Sequence, residues 1–312
     1  MKKIDIIVPC YNEEDSLEIF QRHIEKIFQH VSELEYSLIY VNDGSKDKTL
    51  ELIKTLCNEN KNINYISFAR NFGKEAGILA GLSYSTGDYV VVMDADLQHP
   101  PELIPRMLKE VEAGYDCCMA RRANRKGEGL VRRKLSRLFY RFMNLITSIE
   151  VVQGSTDFCL MTRQMVNAVL LLHERERFTK GIFNWVGFNK TYIEYENVER
   201  IAGESKWSFK GLFNYAISGI TAFSVTPLRM ASVIGIAVMF IAFTYALFVF
   251  VSALSSDSAK TGYASIIIIM LFLGGMIIFL LGVIGEYLSK IYIEVKGRPA
   301  YIIKETSLEI ND

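Results

Sequence analysis

The stretch Tyr89-Val90-Val91-Val92-Met93-Asp94-Ala95-Asp96-Leu97-Gln98 sets an unbroken apolar run directly against two carboxylates and an amide. Such a short run, rich in β-branched valine, reads as a strand buried on both faces, the form that parallel sheets require. The same signature recurs three times upstream. Residues 4–8 run into Pro9-Cys10-Tyr11-Asn12-Glu13-Glu14, residues 36–41 into Asn42-Asp43-Gly44-Ser45, and residues 63–68 into Ala69-Arg70-Asn71-Phe72-Gly73-Lys74. Helical patterns over 16–28, 47–56 and 74–83 separate the runs. This alternation predicts an α/β fold, a mostly parallel sheet with helices on both faces. Ligands collect beyond the carboxyl ends of such strands, so all four polar loops are expected to line one rim.

Further along, the pattern predicts a strand over 116–120 and then a basic segment containing Arg121, Arg122, Arg125, Lys126, Arg132, Arg133, Lys134 and Arg137 against a single acid, Glu128. A helix to about residue 147, a turn over 153–157, a helix over 163–172 and a strand over 192–198 follow. Residues 208–223 read as an amphipathic helix lying at a membrane surface. No charge occurs between Arg229 and Asp257, nor between Lys260 and Glu286. About 20 apolar residues span a bilayer, so these are two expected transmembrane helices. Lys206, Lys210 and Arg229 precede the pair, and Lys290, Lys296 and Arg298 follow it. The positive-inside rule then places both termini in the cytosol and the connecting loop outside. The expected organisation is a cytosolic domain over 1–207, an interfacial helix over 208–228, a membrane hairpin over 229–286 and a tail over 287–312. The tail alternates apolar and basic residues, which suits the interface, and its last few residues are expected to be disordered.

Composition excludes several classes of function. The 312 residues carry 35 basic and 35 acidic side chains, so no global charge draws the chain to nucleic acid. Five cysteines form no CxxC and four histidines form no HExxH, which argues against a zinc or redox site. Neither GxGxxG nor GxxxxGK[ST] occurs, which disfavours dinucleotide-dependent dehydrogenases and P-loop ATPases.

The rim loops supply the chemistry. Asp94 and Asp96 stand two apart on an extended segment, so both can face one ligand, and hard oxygens suit Mg²⁺ or Mn²⁺ held together with phosphate. Asp43 can accept from a nucleobase edge or a ribose, since Ser45 or Asp47 caps the next helix and leaves it free. Arg70 and Lys74, where the third helix begins, can meet phosphate oxygens. Gly73, Gly77 and Gly81 recur every four residues, which predicts close packing of that helix on the sheet. The cationic segment beside a bilayer is placed to meet a lipid-borne phosphate.

Together these motifs, with Gly203-Glu204-Ser205-Lys206-Trp207-Ser208, resemble the family 2 glycosyltransferases over almost the whole chain. Within that family the chain is similar to the polyprenyl-phosphate branch, which includes bactoprenol glucosyltransferases and dolichol-phosphate mannose synthases. The resemblance implies a GT-A fold, a nucleotide-sugar donor, Mg²⁺ or Mn²⁺, and inverting transfer of one sugar to a polyprenyl phosphate. Carried over by position, Pro9, Tyr11, Glu13 and Asp43 hold base and ribose. Asp94 sits at ribose and sugar, and Asp96 and Gln98 bind the metal with the diphosphate. Arg121, Arg132 and Ser136 take the lipid phosphate. Asp157, in Thr156-Asp157-Phe158, falls where the family carries an acid near the reacting centre, and Arg200 and Lys206 neutralise the leaving diphosphate. Many relatives have arginine after the Asp-Phe pair, where this chain has Cys159. UDP-glucose is the expected donor, with UDP-N-acetylglucosamine or GDP-mannose as alternatives. The expected setting is the cytoplasmic membrane, with a homo-oligomer possible. A silent, membrane-anchored nucleotide-sugar scaffold is the contrasting reading. A processive polysaccharide synthase is disfavoured, because the chain has no Gln-x-x-Arg-Trp motif.

Overall fold

The computed structural model describes residues 1–29, 31, 34–123, 147, 152, 154–196, 217–255 and 263–309. The first half alternates as the sequence predicts. Strands β1 (Lys2–Cys10), β2 (Leu34–Asn42), β3 (Ile63–Phe68) and β4 (Tyr89–Val92) are separated by helices α1 (Leu17–Gln29), α2 (Thr49–Glu59) and α3 (Lys74–Tyr84). A 3₁₀ turn over Pro101–Leu103 leads into α4 (Ile104–Glu112), followed by β5 (Cys117–Arg122), β6 (Ser155–Thr162), α5 (Arg163–Leu170), α6 (Thr179–Trp185) and β7 (Lys190–Tyr195). Two long helices, α7 (Thr226–Ser255) and α8 (Tyr263–Val295), precede a last strand, β8 (Ile303–Thr306).

The eight strands form one sheet in the order β7-β5-β6-β4-β1-β2-β3-β8. Pairs β1/β2, β1/β4, β2/β3 and β5/β7 are parallel, while β6 runs against both β4 and β5, and β8 against β3. The sheet is therefore mixed, with β6 and β8 opposed to the other six strands. Strand alternation divides its core in two. Ile4, Ile6, Val8, Leu38, Tyr40 and Val91 pack with Phe20 and Ile24 of α1, Ile53 of α2 and Met107 of α4. Ile7, Ile39, Val41, Val90 and Val92 face Ile78 and Leu82 of α3, Met165 and Val166 of α5, and Ile182 of α6. Each fully buried Ile, Leu or Phe contributes about 1.5–3 kcal/mol of transfer free energy.

Helix α3 lies close on β1 because its glycines allow it. A Cβ on Gly77 would stand 3.2 Å from the Pro9 Cβ, and one on Gly81 would run into the Ile7 side chain. Overpacking costs about 1–3 kcal/mol, against about 1 kcal/mol of helix propensity gained on replacing Gly with Ala. Gly81→Ala is therefore expected to lower stability by up to about 2 kcal/mol. A thermal unfolding midpoint equal to or above that of the unmodified protein would contradict this packing account.

Three expectations need correction. Residues 155–162 are strand β6, preceded by Gly154 at φ +86°, because Phe158, Leu160 and Met161 are buried in the sheet. The tail also contains a strand that the alternating pattern did not announce. After Gly297 (φ +67°) it returns to the sheet as β8, pairing Ile66 with Thr306 and Ser67 with Glu305. Tyr301 stacks on Phe68 with ring centroids 5.1 Å apart, and Lys54 pairs with Glu305 at 2.7 Å. Lastly, the second long helix does not stop at Glu286 but continues to Val295. Its later charges find partners there: Lys290 pairs with Glu176 and lies 3.1 Å from Ser218 Oγ, while Glu294 Oε1 accepts the Arg175 N–H at 2.8 Å.

Helices α7 and α8 contain stretches long and apolar enough to cross a membrane, Thr226–Tyr245 and Ile269–Val295. Their side chains are not spent on a protein core, since Phe240, Leu271 and Ile278 are each 70–72% exposed. Of the expected interfacial helix, residues 208–216 lie outside the described residues, and 217–223 are helical.

Candidate active site

The carboxyl ends of β1 to β4 place the four polar loops on one rim, and hydrogen bonds lace three of them together. Asn12, at φ +53°, donates its N–H to Ser45 Oγ (3.0 Å) and accepts the Lys46 N–H at Oδ1 (2.9 Å). The Glu13 N–H reaches Thr49 Oγ1 at 2.8 Å. Gly44 turns at φ +64°, and a Cβ there would strike the backbone of Arg70 and Asn71.

That close approach explains Asp43, which is not free as expected. Its two oxygens accept the N–H groups of Phe72 (2.6 Å) and Gly73 (2.9 Å), so it ties the second loop to the third. Burial raises its carboxyl while these amides lower it, and burial prevails. A carboxylate offers about four lone-pair sites, so each oxygen keeps one for a further donor. Pro9, Tyr11 and Glu13 are half-buried. Arg70 bonds the Asn71 carbonyl at 2.9 Å and lies over the Phe72 ring at 4.0 Å.

Lys74 also differs from expectation. Instead of standing open to a phosphate, its ammonium bridges Asp94 (2.7 Å to Oδ1) and Asp157 (2.7 Å to Oδ2). The strand correction accounts for this. Because β6 runs antiparallel to β4 with Val92 opposite Cys159, the polar start of β6 arrives at the polar end of β4. Asp157 and Asp94 thus meet from strands of opposite direction, and the first residue of α3 spans them. Cys159, two residues on, is fully buried.

A second cation approaches Asp157 from α6, with Lys180 Nζ 3.7 Å from Oδ1. Glu75 secures that helix by accepting the Thr179 N–H at 3.0 Å and its hydroxyl. Burial alone would raise Asp157, but Lys180 and Lys74 overcome it and hold the carboxyl well below the usual range. Burial likewise works against the charge of Lys74, yet Asp157 and Asp94 keep its ammonium protonated far above neutral pH.

Beside this trio lies a buried polar group on the fourth loop. His99 approaches Asp94 at 3.8 Å and the Tyr195 hydroxyl at 2.6 Å, and desolvation lowers its pKa to about 4, so the ring is neutral. Arg122 contacts the Tyr195 hydroxyl (3.2 Å) and Gln98 Oε1 (3.3 Å). The Gln98 N–H closes onto Asp96 Oδ1 at 3.1 Å, and the intervening Leu97 takes φ +56° to make that turn. A left-handed non-glycine residue costs roughly 1–3 kcal/mol, an expense usually met where side chains must be aimed.

Asp96 and Gln98 supply hard oxygen donors, with Asp94 committed to Lys74. Among the described residues no three His, Cys, Asp or Glu side chains converge as a metal site. This donor set fits a cation that keeps most of its shell for phosphate oxygens and water, as Mg²⁺ does. Arg121, near the end of β5, lies 3.9 Å from Glu194 in a half-exposed pair. Arg132, Ser136, Arg200 and Lys206 lie outside the described residues, as do most of the basic segment and the Gly203–Ser208 motif.

Sequence reasoning assigned no role to His99, Glu75, Lys180 or Tyr195. His99 and Glu75 directly follow the rim segments that end at Gln98 and Lys74, whereas nothing around Lys180 or Tyr195 marked them.

Residues 5–170 match the family described as Glycosyl transferase family 2, and residues 226–291 match the GtrB C-terminal hairpin. A putative glycosyltransferase of Bacillus subtilis, CsbB, is 45% identical over 309 residues, covering 99% of this chain and 93% of the relative. The bactoprenol glucosyl transferase of Shigella phage SfII is 40% identical over 304 residues, covering 97% and 98%. A solved glucosyl-3-phosphoglycerate synthase from Mycobacterium tuberculosis aligns over 70% of this chain and 78% of its own at 19% identity with a TM-score of 0.45, too loose a likeness to add weight. A mixed sheet with an acidic rim, matched by sequence over its first half and its long-helix pair alike, identifies the chain as a glycosyltransferase of family 2 with a GT-A fold.

Proposed function

We propose that the protein transfers a single glucose from UDP-glucose to a polyprenyl phosphate at a membrane surface, with inversion at the anomeric carbon. The observation that carries this reading is the Asp94–Lys74–Asp157 cluster, set on the rim of a domain whose chain continues into two membrane-length helices. The likeness to bactoprenol glucosyl transferases over nearly the full chain supports the acceptor class and favours glucose.

In this reading Pro9, Tyr11, Glu13 and Asp43 receive the nucleoside, and Asp96 with Gln98 would hold Mg²⁺ or Mn²⁺ against the diphosphate. When bound, the cation supplies charge stabilisation to the departing diphosphate. An oxygen of the lipid phosphate attacks the anomeric carbon as the bond to UDP breaks, and the electron pair leaves with UDP. A phosphate monoester is largely ionised at neutral pH, so no side chain need remove a proton. Asp157 suits that chemistry, because a carboxyl held so low is a poor base but a permanent negative charge. Such a charge steadies the cationic character that develops on the sugar ring. Arg121, Arg132 and Ser136 receive the lipid phosphate, and Arg200 and Lys206 the leaving diphosphate. The Lys and Arg residues flanking the helix pair favour a cytosolic catalytic domain and termini at the cytoplasmic membrane.

The test incubates the purified full-length protein with undecaprenyl phosphate, Mg²⁺ or Mn²⁺ and separate nucleotide sugars, and reads sugar mass in the organic-phase lipid. UDP-glucose is expected to label the lipid, and a chelator to abolish labelling. Labelling by another nucleotide sugar in place of UDP-glucose would correct the donor. Binding of nucleotide sugar with no lipid labelled by any donor would overturn the lipid acceptor and favour the silent scaffold.

A further inference from the structure

The polar group behind the carboxylates has a directionality that the transfer chemistry leaves unused. His99 and Tyr195 are 4% and 6% exposed, and His99 Nδ1 lies 2.6 Å from the Tyr195 hydroxyl. The same hydroxyl lies 3.2 Å from Arg122 Nε. A guanidinium only donates, so Arg122 takes a lone pair of the hydroxyl oxygen. Thr156, whose own proton goes to the Ala120 carbonyl at 3.0 Å, meets the same hydroxyl, and the 2.6 Å contact to His99 is the one that takes the hydroxyl's proton. Nδ1 must then accept, which puts the single ring proton on Nε2. Nε2 faces Asp94 Oδ2 across 3.8 Å, too far for a hydrogen bond but near enough for an N–H dipole to act on the carboxylate. The other arm of Arg122 reaches Gln98 Oε1 at 3.3 Å.

We infer that Tyr195 is a positioning residue for the donor site: through Arg122 it aims Gln98, and by fixing His99 as the Nε2–H tautomer it orients Asp94. The register agrees, since Tyr195 and Arg122 sit opposite each other at the carboxyl ends of β7 and β5. Each therefore stands near the start of a segment that carries further candidates, Arg132 and Ser136 after β5, Arg200 and Lys206 after β7. The inference rests on reading the rim as a nucleotide-sugar site.

The experiment uses the full-length protein in detergent, labelled with ¹⁵N-histidine. The chain has four histidines, and His99→Asn assigns the His99 signals by their loss. His99 is expected as the Nε2–H tautomer at neutral pH, and Tyr195→Phe is expected to disturb that state. In parallel, UDP-glucose is titrated calorimetrically with Mn²⁺ present. Removing a supporting hydrogen bond behind a ligand typically costs 10- to 100-fold, so Tyr195→Phe is expected to weaken donor binding about tenfold. An Nδ1–H tautomer in the unmodified protein overturns the inference. So does donor binding within about twofold of the unmodified protein in Tyr195→Phe. Neither readout depends on the lipid, so a failure of the proposed acceptor would leave this test intact and separately decided.

Discussion

Lys74→Met is expected to lower glucose transfer by about a hundredfold or more and to make the reaction more sensitive to acid than in the unmodified enzyme. In the native site a single ammonium lies 2.7 Å from each of two carboxylates that approach from antiparallel strands. Methionine keeps the bulk and removes the charge, so Asp94 and Asp157 then face each other with Lys180 as the nearer remaining cation, 3.7 Å from Asp157. Burial raises a carboxyl, and loss of Lys74 removes one of the two cations that offset burial at Asp157. The native Asp157 is held below the usual range and stays ionised throughout the neutral region. Its depressed value also fixes the sign for stability. The contribution is present above the unfolded carboxyl value of about 3.9 and is lost as pH falls through the lower folded value. Without Lys74 the acid unfolding midpoint should therefore move up in pH, and the fall in rate on acidification should begin at higher pH than in the unmodified protein. An unchanged pH–rate profile, with the variant folded, would mean that the cation does not govern this pair.

Asp157→Asn separates charge from shape. The amide carbonyl can still accept from Lys74, so the packing at the start of β6 is kept, while the negative charge proposed to steady the reacting sugar is lost. Removing one preorganised electrostatic contact typically costs about 10²–10³ in kcat, and that range is expected here. Donor affinity should change by less than about threefold, because the interaction strengthens only as positive charge develops on the ring. A fall in kcat below about fivefold, or a loss carried wholly by KM for UDP-glucose, would reassign Asp157 to substrate binding.

The parts of this molecule that could be read from sequence are those in which one short segment carries its own reason. The runs before Pro9, Asn42, Ala69 and Asp94 are apolar because their strands are buried on both faces, so strands and rim were legible together. Gly77 and Gly81 announced close packing because only a missing Cβ permits it. Strand β6 was obscured because it opens on the polar Ser155, Thr156 and Asp157, and polarity there resembles a turn. Helix α4 was missed behind Pro100, Pro101 and Pro105, although Ile104, Met107, Leu108 and Val111 follow a helical spacing. The charge partners were hidden for another reason. That Lys74 meets Asp157, and Lys180 the same carboxylate, depends on an antiparallel register, which no local pattern encodes. Asp43 was visible as an acid at a strand end, but its bonds to Phe72 and Gly73 follow from how two loops lie together.

Strand β8 gives the chain an unusual itinerary: out of the sheet, through two membrane-length helices, and back into the sheet edge beside β3. A body moored by one line can swing and spin about it, whereas a body moored at two points keeps its heading. The stacked Tyr301 and Phe68 rings and the Lys54–Glu305 pair fasten the second line. The rim of acidic loops is thereby held at a set bearing to the helix pair. A substrate that diffuses in two dimensions then meets the same face of the domain at every encounter, and half of the orientational search is completed by the fold.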